Sequence, residues 1–453
     1  MGPVAEGRDS DLGGLCAAAV EEASGDEAIE AYAEESRRTE VTALRGEIEG
    51  LTFAESRGIG VRVLVGGRLG YAYVADPGPG EVRRAVVRAR ENATLATEDP
   101  HNVLPEASAA EPIPSLFRGG QASIGADRKV GLALELERVA TGLDPRVTKV
   151  EQARYGDAVS RVAIASTTGV AAEYARTDCW CAVVALAERA DETQTGFSFR
   201  VAREIDDLDW AGVASEAVDR GVRLLGATKP PTARVPVLLD PFAGSSFLSV
   251  LAGALSAEAV QKGRSPFADL VGEQVGSDAF ALVDDGRLLA GPAAAPFDDE
   301  GVPTERTELI ARGTLTGFLH NSYTAHRGGT RSTGNARRAG YRSVPGVGTS
   351  NFFVPAGTAG VDELLARADG GVLIQDVSGV HSGANSISGE FSVGATGLRI
   401  SGGALAEPLR EMTIASTLPE MLRAVVAVGS DLRFFTSVGA PSILVGEMTV
   451  AGV

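Results

Sequence analysis

Residues 371–401, G-V-L-I-Q-D-V-S-G-V-H-S-G-A-N-S-I-S-G-E-F-S-V-G-A-T-G-L-R-I-S, decide how this chain is read. Two apolar runs, 371–374 and 398–400, have strand character and flank a polar middle. Five glycines fall from Gly379 to Gly397, so the backbone there is expected to turn tightly or to approach another group closely. His381, Asn385, Ser388 and Glu390 lie in that middle. A polar loop held between strands is a common carrier of binding residues on a rigid scaffold.

The half of the chain around this loop reads as strand and turn. From Phe280 onward, short apolar runs alternate with turn signals such as Asp284-Asp285-Gly286 and Asp298-Asp299-Glu300-Gly301. A hairpin is expected around Gly313-Thr314, a short strand at 351–354, a helix at 418–428 and a closing strand at 442–450. This half opens with a strand at 235–239 and then Asp240-Pro241, an acidic N-cap with proline in the first helical position. The helix so begun is expected over 242–261, with Phe247, Val250, Leu251 and Leu255 on it.

Upstream, A-T-K-P-P-T-A at 227–233 suits an extended connector, which places a domain boundary near Pro230. Residues 1–229 hold helical patterns at 10–24, 81–94, 127–141 (capped by Asp127) and 209–225. Strands are expected at 40–44, 47–53, 59–65, 69–74, 148–155, 159–166 and 170–187, with turns at Arg45-Gly46, Gly66-Gly67, Gly156-Asp157 and Thr168-Gly169. Residues 27–35 suit strand or helix. The fold class is therefore α+β: helices on a mainly antiparallel sheet in 1–229, then a β-rich domain with few helices in 230–453. No internal repeat of fixed period is visible.

Composition narrows function. The 453 residues carry 60 acids and 42 bases, a net charge of −18. Such a chain repels phosphate backbones, so nucleic acid is not an expected partner. No run approaches 18 apolar residues, so no membrane helix is expected. Three cysteines and no apolar leader fit a reducing cytoplasm. Cys179 and Cys181 share one face of a strand and suit core packing better than a metal site. Of the four histidines, His101, His320 and His326 read as ordinary surface or turn residues. No His-Glu-x-x-His motif, phosphate-binding loop or nucleophile elbow is present. The turn Ser332-Thr333-Gly334-Asn335-Ala336-Arg337-Arg338 reads either as a solvated turn or as one that could hold a carboxylate or phosphate.

Nearly the whole chain resembles the TldD/PmbA family, also known as modulators of DNA gyrase. The 381–397 loop is similar to the family's H-S-G-x-N-P-x-S-G-D-F-S-x-G-A-x-G segment. Further matches follow in order: A-Y-A-E-E-S at 31–36, A-E-S-R-G-I-G-V-R-V at 54–63, P-V-L-L-D-P at 236–241, S-A-E-A-V-Q-K-G-R-S at 256–265, P-F-D-D-E-G-V-P-T at 296–304, S-T-G-N-A at 332–336 and P-G-V-G at 345–348. Ser386 stands where relatives carry proline, and Glu390 where they carry Asp.

The resemblance implies one of two related subunits. The TldD type is a zinc metallopeptidase with a His-Glu-x-x-x-His motif; the TldE/PmbA type keeps the fold without it. Anchored on G-E-Q-V at 272–275, the motif positions fall on Leu248, Ser249 and Gly253, none of them a zinc ligand. What this implies is a non-catalytic subunit, with no cofactor of its own. A TldD-like partner in a heterodimer would hold the zinc, and a homodimer would form when that partner is missing. Asn335, Arg337, Arg338, His381, Asn385, Ser388 and Glu390 are then candidates for lining a chamber that takes a peptide or an amide-linked compound. Two other readings compete: a metal-free binding or regulatory protein, and a lone hydrolase centred on His381 and Ser382.

Overall fold

The computed structural model describes residues 11–452; the expected helix start at Ser10 lies outside them. Six strands come first: β1 (Ala28–Leu44), β2 (Glu47–Val65), β3 (Arg68–Ala75), β4 (Lys149–Ser166), β5 (Ala171–Arg189) and β6 (Glu192–Ala202). They form one antiparallel sheet in the order β3-β2-β1-β4-β5-β6. Helices α1 (Leu12–Glu21) and α2 (Pro79–Leu95) flank the first three strands in sequence. After the short α3 (Gly119–Ala122), α4 (Ala126–Leu143) and α5 (Trp210–Val222) flank the second three. The chain therefore builds helix, three strands, helix twice. The copies join where β1 pairs with β4, from Glu30↔Ser166 to Ala43↔Ala153.

This duplication is invisible as a sequence repeat, yet both copies solve one packing problem the same way. A Cβ on Gly70 of β3 would lie 1.8 Å from the Ala89 carbonyl oxygen of α2, and one on Gly196 of β6 would lie 2.0 Å from that of Ala217 in α5. Only glycine lets the closing helix approach the edge strand so closely.

The long strands explain the layer arrangement. β1, β2, β4 and β5 run 17 to 19 residues, about 60 Å at the usual rise, which is more than one helix covers. α1 and α2 bury Ile29, Ala31, Ala33, Ile59, Val61 and Val63 at one end. α4 and α5 bury Val41, Ala43, Tyr155, Cys179, Cys181 and Val183 at the other. Burial pushes the Cys16 and Cys181 thiols up to about 12, so they are packing groups and not nucleophiles. The opposite face of β1, with Glu30 and Tyr32, packs on the second half of the chain.

Several expected boundaries change. The runs at 47–53 and 59–65 are one strand, as are those at 148–155 and 159–166. Gly156-Asp157 is no turn: a Cβ at 156 would lie 2.4 Å from the Trp180 ring, and the buried Asp157 carboxylate accepts from Lys129 Nζ at 2.9 Å. Turn-type residues stand there because of their neighbours across the sheet. Residues 28–35 settle as strand, and β6 is an element the sequence expectations lack. Gly125, not Asp127, caps α4.

The connector 227–232 is stitched to the second half, with Thr228 N–H donating to Pro408 O at 3.1 Å. β7 (Ala233–Leu239) then leads into α6 (Pro241–Ala254), which Asp240 caps by accepting from Ala243 N–H. The expected helix over 242–261 is two helices. The Leu255 carbonyl accepts from Leu319 N–H at 3.0 Å and Ala257 N–H donates to Leu319 O at 2.9 Å, so α7 (Ala257–Gln261) starts anew.

The rest is β-rich, as expected. One sheet has the order β10-β9-β8-β13-β19-β18, built from β8 (Leu282–Asp285), β9 (Arg306–Ala311), β10 (Thr314–Leu315), β13 (Phe352–Phe353), β18 (Arg433–Phe434) and β19 (Val438–Ala440). A small hairpin pairs β11 (Ala336–Arg337) with β12 (Gly346–Val347). The other sheet runs β16-β15-β14-β7-β20-β17 and closes through β16–β20 pairing into a barrel. Its strands are β14 (Val372–Ser378), β15 (Glu390–Ser401), β16 (Ala404–Thr417), β17 (Val425–Val428) and β20 (Ile443–Ala451). Between β16 and β17 the expected helix over 418–428 is shorter, Leu418–Arg423, because Val425–Val428 pairs with β20. α6 contributes Phe247, Leu248 and Leu251 to the core shared by both sheets. No helix is long and apolar enough to cross a membrane among the described residues.

Candidate functional site

α6 is where the resemblance places a metal. Leu248 is 2% exposed and belongs to the core. Ser249 faces out and donates its hydroxyl hydrogen to Ser245 O at 3.0 Å. Gly253 has no side chain, and a Cβ there would meet nothing within 4 Å. A hydrocarbon, a hydroxyl bonded to its own helix and a glycine are not a zinc donor set. Among the described residues, no three His, Cys, Asp or Glu side chains gather as a metal cluster. His101 and His326 do meet, Nδ1 to Nδ1 at 3.2 Å, a contact between distant segments that spacing did not reveal.

The glycine-rich loop lies at the barrel end of β14 and β15. Its base packs on α6 through Phe391 and Phe247, ring centroids 4.8 Å apart. Asn385 folds the loop on itself: its side-chain oxygen accepts from Ile387 N–H at 2.9 Å and Ser388 N–H at 3.3 Å, and its N–H donates to Glu390 O at 2.8 Å. Ser388 and Glu390 touch at 3.4 Å. Asn385, Ser388 and Glu390 are exposed, and so is Ile387 at 51%. His381 stands on the single turn Val380–Gly383; its side chain lies outside the described residues. The loop's polar groups thus shape the loop and present an apolar tip to solvent.

The turn at 335–338 sits elsewhere, between the two halves of the chain. Asn335 is buried and donates to Asp284 Oδ2 at 2.7 Å and Gly348 O at 3.1 Å. Arg338 reaches the Glu30 carboxylate of β1 and lies over the Tyr32 ring. Glu30 also pairs with Arg62, whose other nitrogen donates to Glu300 at 3.0 Å. Burial opposes charge on Glu30, yet Arg338 and Arg62 together hold it below the usual carboxylate range. A second buried clamp joins Arg220 of α5 to Asp240, the cap of α6, and to Gln375 O at 2.7 Å. The first clamp fixes the first sheet, and the second fixes α5, against the second half of the chain; no motif singles out Glu30, Arg62, Arg220 or Glu300 as partners.

Beside the first clamp lies a cleft of about 560 Å³ lined by Tyr32, Glu34, Tyr174, Arg176, Asp299 and Arg337, among others. Of the candidate residues at 335–338, Arg337 and Arg338 line it; no residue of the 381–390 loop does. Arg337 donates through Nε to Thr349 O at 3.0 Å and through Nη1 to Ala336 O, while its Nη2 has no partner among the described residues. Burial raises the pKa of Glu34 on the facing strand. The cleft can therefore offer a guanidinium N–H to an anionic group, beside a carboxyl whose charge burial disfavours.

Comparison with known proteins places this geometry. Residues 232–452 match the PmbA/TldA metallopeptidase C-terminal domain, 120–225 the central domain and 29–93 domain 1. The last two share the six-stranded sheet described above. The chain is 27% identical to metalloprotease PmbA of Escherichia coli O157:H7 over 416 residues, 91% of this chain and 89% of that one. It is 26% identical to a metalloprotease TldD homolog of Haemophilus influenzae over 439 residues, 90% and 89% of the two chains. Among solved structures, a Thermotoga maritima protein named as a modulator of a DNA gyrase superposes with a TM-score of 0.88 at 29% identity, covering 96% of this chain and 98% of that one. TldE from Thermococcus kodakarensis superposes with a TM-score of 0.88 at 24% identity, covering 94% and 97%. Identities to PmbA-named and TldD-named relatives are nearly equal, so identity alone does not assign a subunit type.

Proposed function

Because the chain belongs to the PmbA/TldD metallopeptidase family, we propose that it is the metal-free subunit of a two-subunit zinc peptidase. A TldD-like partner supplies the metal and the activated water. This chain supplies rigid walls of the chamber in which a peptide or amide-linked substrate is held. The observation that carries the reading is α6: at the positions of the metal motif it presents core hydrocarbon, a self-bonded hydroxyl and no side chain. The exposed loop with Ile387 at its tip is the surface offered to the partner, since an apolar tip on a well-bonded loop gains by burial. The net charge of −18 turns the gyrase-modulator reading away from DNA itself.

Co-expression with a TldD-like partner tests the proposal. The two chains should co-purify, and a fluorogenic peptide should be cleaved by the pair and by neither chain alone. Chelator-sensitive cleavage by this chain alone would overturn it.

A further inference from the structure

A second cleft, of about 780 Å³, lies along the outer edge of β5. β4 pairs with β5 from Ala171 to Leu186, but β6 pairs only from Cys179 onward. Residues 171–178 are therefore a free edge. The ladder shows which groups it offers. Ser166 N–H bonds to Val170 O, and Thr177 N–H turns outward to Leu116 O at 3.2 Å. Register is unbroken from 171 to 177, so Ala171, Glu173 and Ala175 direct their N–H and C=O outward as Thr177 does. None of these groups has a backbone partner among the described residues.

The cleft they face is walled by small and apolar groups, among them Ala109, Ile113 and Phe117 from the incoming segment and Pro296 and Phe297 from the second half. Glu173 is the one charged side chain among its lining residues. The corresponding free edge of β2, residues 47–57, carries Glu47, Glu49, Glu55 and Arg57, the charged guard common on edges kept from pairing. Along 171–175 the β5 edge carries Ala171, Ala172 and Ala175 with a single charge, Glu173; Arg176 and Asp178 follow and pair with each other.

We propose that residues 171–175 are a docking edge for an extended peptide, which adds as a strand end to end with β6 and seats small apolar side chains in the cleft. Main-chain donors and acceptors in a row select polypeptide over other apolar ligands. Glu173, in a strongly acidic chain, selects a peptide with a basic residue near its centre. The occupant is a free peptide, since both walls come from this chain. The inference does not depend on a metal-bearing partner.

The test uses the full chain and a fluorescein-labelled heptapeptide of alternating alanine and valine with a central lysine, followed by fluorescence anisotropy. Two isomers are N-methylated on alternate residues, one set each. The parent peptide should bind saturably. One isomer should lose at least about tenfold in affinity, as expected for removing donors worth a kcal/mol or more. Ala172→Trp should abolish binding by filling the cleft, and Glu173→Gln should weaken it, with thermal melts confirming that both variants fold. No saturable binding of the parent, or equal binding of both methylated isomers, overturns the proposal. So does sedimentation showing that the edge is occupied by a second copy of the chain.

Discussion

The turn at 335–338 and the loop at 382–390 are both short polar segments, and folding treats them oppositely. The turn is sealed between two halves of the molecule, where Asn335 and Arg338 satisfy buried carboxylates. The loop is exposed and bonds mainly to itself. A polar motif can thus mark a joint or a surface, and what separates them is whether its bonds leave the segment.

Breaking the joint should have the largest effect. Arg338→Ala leaves Glu30 with one cationic partner in a buried site, and loss of one partner of a buried pair costs about 3–5 kcal/mol. Urea unfolding should show it as a large fall in midpoint. Leu248→Ala should cost about 2–5 kcal/mol through a core cavity, since Leu248 is 2% exposed. It should do so without changing metal content, which separates packing from ligation at that position.

The joint should also respond to pH. Burial, then the adjacent Glu300 carboxylate, raises the pKa of Asp298 to about 7; burial raises those of Asp240 and Asp284 as well. The unfolded chain gives up these protons in the ordinary carboxylate range, while the folded chain keeps the Asp298 proton until about pH 7. Their contribution to stability is therefore full at low pH and declines as pH rises toward 7, by at most about 1.4 kcal/mol per pH unit per group. Urea midpoints from pH 5 to 8 should fall and then level. A midpoint that climbs over that window contradicts the assignment. The smallest effect belongs to the loop: Asn385→Ala should cost about 1 kcal/mol or less while lowering peptide cleavage by the two-chain complex.

Much of the architecture was legible because periodicity and turn chemistry act locally. The Arg45-Gly46 and Gly66-Gly67 turns, with positive φ at all four residues, stand where the dipeptides place them, and Asp240-Pro241 opens α6. What was not legible depends on partners distant in sequence. Gly156-Asp157 imitates a turn because Trp180 and Lys129 set its residue types. The helix over 242–261 breaks because Leu319 takes its backbone bonds. The duplication of helix, three strands and helix escaped because packing constrains only a few positions, Gly70 and Gly196 among them. At the candidate site, α6 and the loop were found from motif resemblance. Arg62 and Glu300 sit inside the quoted motifs at 54–63 and 296–304 without revealing that they meet each other, or that Arg62 shares Glu30 with Arg338.

The central claim is that α6 in this chain ligates no metal. The most direct measurement is zinc content by inductively coupled plasma mass spectrometry, on the chain purified alone and on its complex with a TldD-like partner. The account predicts no stoichiometric zinc in the chain alone and one zinc per complex; one zinc per chain in the protein purified alone would contradict it.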